Sequence, residues 1–361
     1  MELMPFVLSV LFLSCVHGAS SDSRYFTSMF TLGDSHIDVG NFLIMAAQVM
    51  PALTVWHDKP PYGMTFFGHP TGRVSDGRVT IDFIAEEFGL PLLRASLLNN
   101  SDVSRGVDFA VGGATAIDVD FYERNNLVQF KLLNNSLNVQ LGWFEELKPS
   151  ICNTTQVNTG CRGCFSKSLF FVGEFGVNDY NFIWMAGKSE DEVRSYVPRV
   201  VKNIAMGVEQ YTNGCSPTML TLRSNSSKTD YDHTGCLLDI NRVARYHNSV
   251  LRVALGVLRR KYAHARIIFA DFYNPIVTIL ENPGRFGVVG ADALRTCCGG
   301  GGVYNWNISA LCGMPGVPAC KDPSAFVSWD GVHYTEAINR YIAQGWLHGP
   351  FADPPIHNVI G

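Results

Sequence analysis

Charge is scarce in this chain. Only 17% of its 361 residues are charged, and 28 Lys and Arg against 32 Asp and Glu leave a formal net charge of -4 without an acidic or basic tail. That balance lacks the basic footprint of a nucleic-acid-binding protein. Beyond the first residues, no apolar run reaches the roughly eighteen residues that a membrane-spanning helix needs. No repeat, heptad pattern or low-complexity block occurs, and no stretch rich in Pro, Gly or Ser divides the sequence, so a single domain is the simpler organisation. What the chain has in quantity is apolar material, 47% hydrophobic and 12% aromatic, which supports a large core and excludes disorder over most of its length.

The amino end has the form of a secretory leader: residues 6–16 are apolar and Val16-His17-Gly18 supplies small residues for cleavage. The expectation is a signal peptide over 1–18, a single domain over 19–361, and a secreted protein of the extracellular space or cell wall. Asn-x-Ser/Thr acceptor sites at Asn99, Asn134, Asn153, Asn225 and Asn307 agree with export and glycosylation. Of ten cysteines, Cys15 lies in the leader; an odd nine remain, so at least one is an unpaired thiol or bonds another chain. Cys161 and Cys164, with Cys297, Cys298, Cys312 and Cys320, could ligate zinc, but an oxidising compartment makes disulfides the default. Their pairing is open.

Strand-like runs at 26–33, 106–111, 168–173 and 265–272 alternate with helical patterns at 78–88, 190–211 and 241–262. This alternation predicts a mainly parallel sheet flanked by helices, with 265–272 a further strand, buried if parallel. The run Gly299 to Gly302 lacks the preceding strand and the Lys-Ser/Thr of a phosphate-binding loop and reads as a tight or mobile loop.

Three short blocks fall at strand ends, where a parallel sheet presents side chains at its carboxyl edge. Gly33-Asp34-Ser35 offers a nucleophilic serine, although a turn or capping serine explains it alone. Gly173-Glu174-Phe175-Gly176-Val177-Asn178-Asp179 offers an asparagine amide as an oxyanion donor, or simply an Asx turn. In Trp329-Asp330-Gly331-Val332-His333 the three-residue spacing lets the carboxylate reach the imidazole. That pair can orient one tautomer toward a serine, or can be a helix cap.

In this order the blocks resemble the GDSL esterase/lipase family, also called SGNH hydrolases, and in particular its plant secreted branch. Pro61-Tyr62-Gly63, Gly68-His69-Pro70-Thr71-Gly72-Arg73, Ser75-Asp76-Gly77-Arg78 and Ser328-Trp329-Asp330-Gly331 extend the resemblance over nearly the whole chain. The resemblance implies a three-layer α/β/α sandwich, flavodoxin-like, with about five parallel strands. It implies Ser35 as nucleophile, His333 as base and then acid, and Asp330 as its orienting carboxylate. The oxyanion hole would comprise the N–H groups of Ser35 and Gly113, the latter within Phe109-Ala110-Val111-Gly112-Gly113-Ala114-Thr115, and the Asn178 side chain. No cofactor or metal is called for.

Two departures stand out. The family's name motif has Leu as its fourth letter, where this chain has His36; this alters the pocket wall and, as a lesser reading, offers an alternative base. Asp34 and Asp38 are expected to brace the turn through backbone hydrogen bonds, and Asp179 to have no catalytic role. The second departure is a core strand missing near 212–217, because the helix ending near Tyr211 runs almost directly into Gly214-Cys215-Ser216-Pro217. Either the stretch 218–222 substitutes, or the helix shortens, or the sequence is a shortened product that folds poorly. A central strand buries side chains at about 1.5 to 3 kcal/mol each, so its loss rivals the ~5 to 15 kcal/mol stability of a whole domain.

The sequence therefore leads to a secreted serine esterase acting on short-chain or acetyl esters of plant metabolites or polysaccharides, or on lipids, as a monomer without nucleic-acid partners. The competing readings are a non-catalytic or poorly folding secreted glycoprotein and an acyltransferase using the same site.

Overall fold

The computed structural model describes residues 25–51, 54–98, 102–128, 132–154, 165–204 and 214–360. The leader call, Asn99, Cys161, Cys164 and the stretch 205–213 lie outside them, as does the side chain of Asn153.

The central strand is β1 (Ser28–Leu32), every residue of which is buried. It pairs in parallel with β2 (Gly106–Asp108) on one side, Phe30 opposite Val107, and with β3 (Ser168–Val172) on the other, Phe30 opposite Phe170. Side chains alternate across the strands, so the sheet has two apolar faces. Phe30, Leu32, Val107, Phe170 and Val172 enter one core, while Met29 and Leu169 enter the other.

Helices cover both faces, which makes the three layers. In chain order they are α1 (Asn41–Val49), α2 (Thr80–Glu87), α3 (Val119–Arg124), α4 (Leu137–Thr154), α5 (Val177–Met185), α6 (Glu190–Ile204), α7 (Pro217–Leu222), α8 (Leu238–Lys261), α9 (Tyr273–Glu281) and α10 (Glu336–His348). On the Phe30 side lie α4 through Leu137 and Phe144, α6 through Val193, Val197 and Val200, and α8 through Ile240, Val243 and Leu251. On the Met29 side lie α2 through Ile81 and Ile84, α9 through Ile276 and Ile279, and α10 through Ile338, Ile342 and Trp346. The i, i+3, i+4, i+7 spacing of these residues makes each helix amphipathic.

Three expectations need correction. The run 265–272 does not add a parallel strand: β4 is only Phe269–Ala270, and it pairs antiparallel with β5 (Ala352–Asp353). An apolar run fixes burial but not the partner. Likewise 218–222 is no substitute strand but lies within α7, with Pro217 in the first helical turn, where a missing N–H costs nothing. The parallel sheet accordingly has three strands in the order β2-β1-β3 among the described residues, not about five. Along the outer edge of β3, where a fourth strand is expected, runs a crevice walled by Phe171, Gly173, Ile268, Ala270, Phe272 and Trp346.

No helix of the described residues is long and apolar enough to cross a membrane. Disulfides join Cys215 to Cys236, Cys297 to Cys320, and Cys298 to Cys312. The four clustered cysteines are thus taken up by disulfides rather than zinc. Asn134, Asn225 and Asn307 are exposed.

Candidate active site

The turn after β1 is built by close backbone approach. A Cβ on Gly33 would come within 2.4 Å of the Gly173 carbonyl oxygen, so only glycine lets the ends of β1 and β3 abut. The Gln140 amide grips the same residue from both sides, accepting from its N–H at 2.9 Å and donating to its carbonyl at 2.8 Å. Asp38 then gathers the chain beyond Ser35: its carboxylate accepts from the N–H groups of Gly40, Asn41 and Phe42, and from Gly112 at 2.8 Å. The last bond ties the serine turn to the loop that bears Gly113. Asp34 accepts from the N–H of His36 at 3.1 Å. Both aspartates thus have the bracing bonds expected of them.

Asp179, at the start of α5, accepts from the N–H groups of Ala116 and Ile117 at 2.9 and 3.0 Å and from the Tyr122 hydroxyl. Burial pushes its carboxyl up to about 6. It fixes the glycine loop to the helix that carries its neighbour Asn178.

From the other end of the chain, the loop before α10 brings in Asp330 and His333. Gly331 there has φ +106°, and a Cβ on it would lie 2.2 Å from Trp306. Trp329 is buried, and its N–H donates to the His333 carbonyl at 2.7 Å. The disulfide pair holds this loop from below: Cys297 donates its N–H to Ser328 O and Cys298 to Trp329 O, at 2.9 and 2.7 Å. The Ser75 to Arg78 stretch holds it from the side. Asp76 accepts from the Glu336 N–H at 2.7 Å, and Arg78 pairs with the Glu336 carboxylate at 2.7 Å, clamping the first turn of α10.

These supports converge on one small constellation. His333 Nε2 lies 2.7 Å from Ser35 Oγ, and its Nδ1 lies 2.8 and 3.0 Å from the two Asp330 oxygens. Burial alone would raise the Asp330 carboxyl; His333 beside it, with the His333 and Val332 N–H groups, outweighs burial and holds it well below the carboxylate range. The Tyr62 hydroxyl donates to Asp330 at 2.9 Å. Asn178 Nδ2 donates both to Asp34 Oδ2 at 3.1 Å and to the Ala114 carbonyl at 2.9 Å. Among the described residues the N–H groups of Ser35 and Gly113 have no acceptor, and space is open around Gly113. Ser35, Gly113, Asn178, Asp330 and His333 are all partly exposed, so a ligand can reach them.

Several residues here carried no assigned role in the sequence reading. Tyr62 and Arg78 lie in stretches quoted for the resemblance, yet their partners are 268 and 258 positions away. His57 lies close enough to sense His333 and Asp330; burial first, then His333, lowers it to about 4, so it is neutral at pH 7, and its Nε2 is buried without a partner among the described residues. Glu174 is fully buried against His36, with 2.9 Å between Oε2 and Nδ1. His36 Nδ1 thus faces two carboxylates, while the group that meets Ser35 Oγ is His333, through Nε2 at 2.7 Å.

A model of the GDSL-like lipase/acylhydrolase family matches residues 29–346. Three GDSL esterase/lipases of Arabidopsis thaliana are similar throughout. One is 39% identical over 370 residues, covering 98% of this chain and 92% of the relative; a second is 40% identical over 372, covering 98% and 90%. A third is 39% identical over 373, covering 97% and 98%. These aligned lengths exceed the 361 residues present here, so the relatives carry residues that this chain lacks. With a match spanning most of its length and relatives near 40% identity, this chain belongs to the GDSL-like lipase/acylhydrolase family.

Proposed function

We propose that this protein is a secreted carboxylic ester hydrolase working through an acyl-enzyme on Ser35. His333 takes the serine proton as Oγ attacks the ester carbonyl, and returns it to the departing alkoxide; in the second half it activates water. Asp330 holds the imidazole with Nε2 facing the serine and stabilises the imidazolium. The oxyanion is received by the N–H groups of Ser35 and Gly113 and by Asn178, one of whose amide hydrogens must leave its resting acceptor. The observation that carries this reading is the continuous relay Ser35 Oγ to His333 Nε2 and His333 Nδ1 to Asp330.

The three disulfides suit an oxidising compartment, which supports export after removal of residues 1–18 and glycosylation at the five acceptor sites as one mature domain. Short acyl or acetyl esters are the favoured substrates, and the enzyme acts as a monomer. Turnover of p-nitrophenyl acetate by purified protein is expected to vanish in Ser35→Ala; equal rates would reject the assignment. A second reading, a poorly folding glycoprotein without turnover, draws on the crevice beside β3. A single cooperative thermal transition together with turnover would exclude it.

A further inference from the structure

The residue that departs from the family's name motif occupies a position of consequence. His36 is 3% exposed at its side chain, and its Nδ1 lies 2.9 Å from Glu174 Oε2 and 3.4 Å from Asp34 Oδ1. Asp34 in turn accepts from Asn178, and the His36 ring centroid is 5.2 Å from that of His333. One buried imidazole therefore adjoins both arms of the proposed chemistry, the base on one side and the oxyanion donor on the other. Other groups facing it are the rings of Tyr334, from the loop before α10, and Phe272, from the start of α9.

Two carboxylates buried side by side repel each other unless a cation or proton lies between them. His36 is the cation available. A lone imidazolium 5.2 Å from His333 would oppose the uptake of the serine proton, so the Glu174 charge is needed to offset it. We propose that His36 and Glu174 are positioning residues, an ion pair behind Ser35 that sets the electrostatic field in which His333 accepts its proton and Asp34 holds Asn178. This rests on the serine-esterase reading above. In support, burial alone would lower His36, yet Glu174 and Asp34 hold it well above its ordinary value; burial works against the Glu174 charge, pushing it up to about 7, and His36 is the group that pulls it back.

The test is the pH profile of kcat/KM on p-nitrophenyl acetate for wild type, H36L, E174Q and the double variant, with S35A as blank. H36L removes a cation near His333 and moves the acidic limb to higher pH. E174Q removes the anion while Asp34 still keeps His36 charged, and moves the limb to lower pH. At the 5.2 Å between the His36 and His333 rings the H36L displacement is between about half and two pH units, that of E174Q is opposite in sign, and the double variant returns close to wild type. A residue that only fills space would lower yield or Tm without moving the limb. Unmoved limbs, or limbs displaced in one direction by both single variants, would overturn the pairing. The limb's position does not depend on how much protein folds, and H36Q serves if H36L does not accumulate. Wild-type turnover in S35A would instead defeat the serine-esterase reading itself.

Discussion

Asn178→Ala offers a quantitative examination of the proposed oxyanion site. A side-chain donor to a developing oxyanion typically contributes about 2.7 to 4 kcal/mol. Here, however, both Asn178 amide hydrogens are engaged at rest, one by the Asp34 carboxylate at 3.1 Å and one by the Ala114 carbonyl at 2.9 Å. Releasing a hydrogen bond to a charged acceptor costs about 1.5 to 3 kcal/mol, which must be subtracted. The net loss on removing the amide is then about 1 kcal/mol, or roughly fivefold in kcat. Turnover of p-nitrophenyl acetate, normalised to sites titrated by a fluorophosphonate, measures it. A loss approaching a thousandfold would show that the resting bonds impose no cost, and an unchanged kcat would remove Asn178 from the oxyanion site.

Further outcomes concern the relay, its support and the core. Asp330→Asn keeps the size of the side chain but not the charge that orients and stabilises His333; it should lower kcat by about 10³- to 10⁴-fold and also lower Tm, because the folded chain holds this carboxyl well below its ordinary range; a loss in kcat under tenfold would contradict its role. Cys298→Ser with Cys312→Ser opens a link across 14 positions and should cost about 3 kcal/mol, seen as a lower Tm, while turnover well below Tm persists because the backbone N–H at 298 that supports Trp329 is retained. His247 is fully buried 2.8 Å from the Tyr180 hydroxyl, and burial lowers it to about 3. The unfolded chain, with an ordinary value near 6.5, binds the proton more readily, so stability from this site is lost as pH falls from about 6.5 toward 3, by about 2 to 4 kcal/mol at pH 4. Denaturant unfolding should show that slope in wild type and a shallower one in His247→Gln.

The residues of the candidate site were legible because each sits in a short block with its own local logic. Ser35 lies three residues beyond a strand, Asn178 lies in the first turn of a helix, and Asp330 lies three residues before His333. What holds them was not legible in the same way. Tyr62 to Asp330 and Arg78 to Glu336 are bonds across more than 250 positions, for which no periodicity or spacing gives a sign. The His36 departure was visible as a substitution, but its Glu174 partner emerges only when β1 and β3 end side by side. The sheet was legible in its centre and misread at its edge. The three parallel strands fall within the runs read as 26–33, 106–111 and 168–173, whereas 265–272 yielded a two-residue antiparallel pairing. Ser216-Pro217 was a helix-start signal competing with the strand pattern of 218–222, and the helix prevailed.

The serine relay is tested most directly by treating folded protein with a fluorophosphonate and mapping the adduct by peptide mass spectrometry. A single adduct on the peptide containing Ser35, lost in His333→Ala, is the expected result. A folded protein that takes no label, or takes it on another residue, would contradict the account.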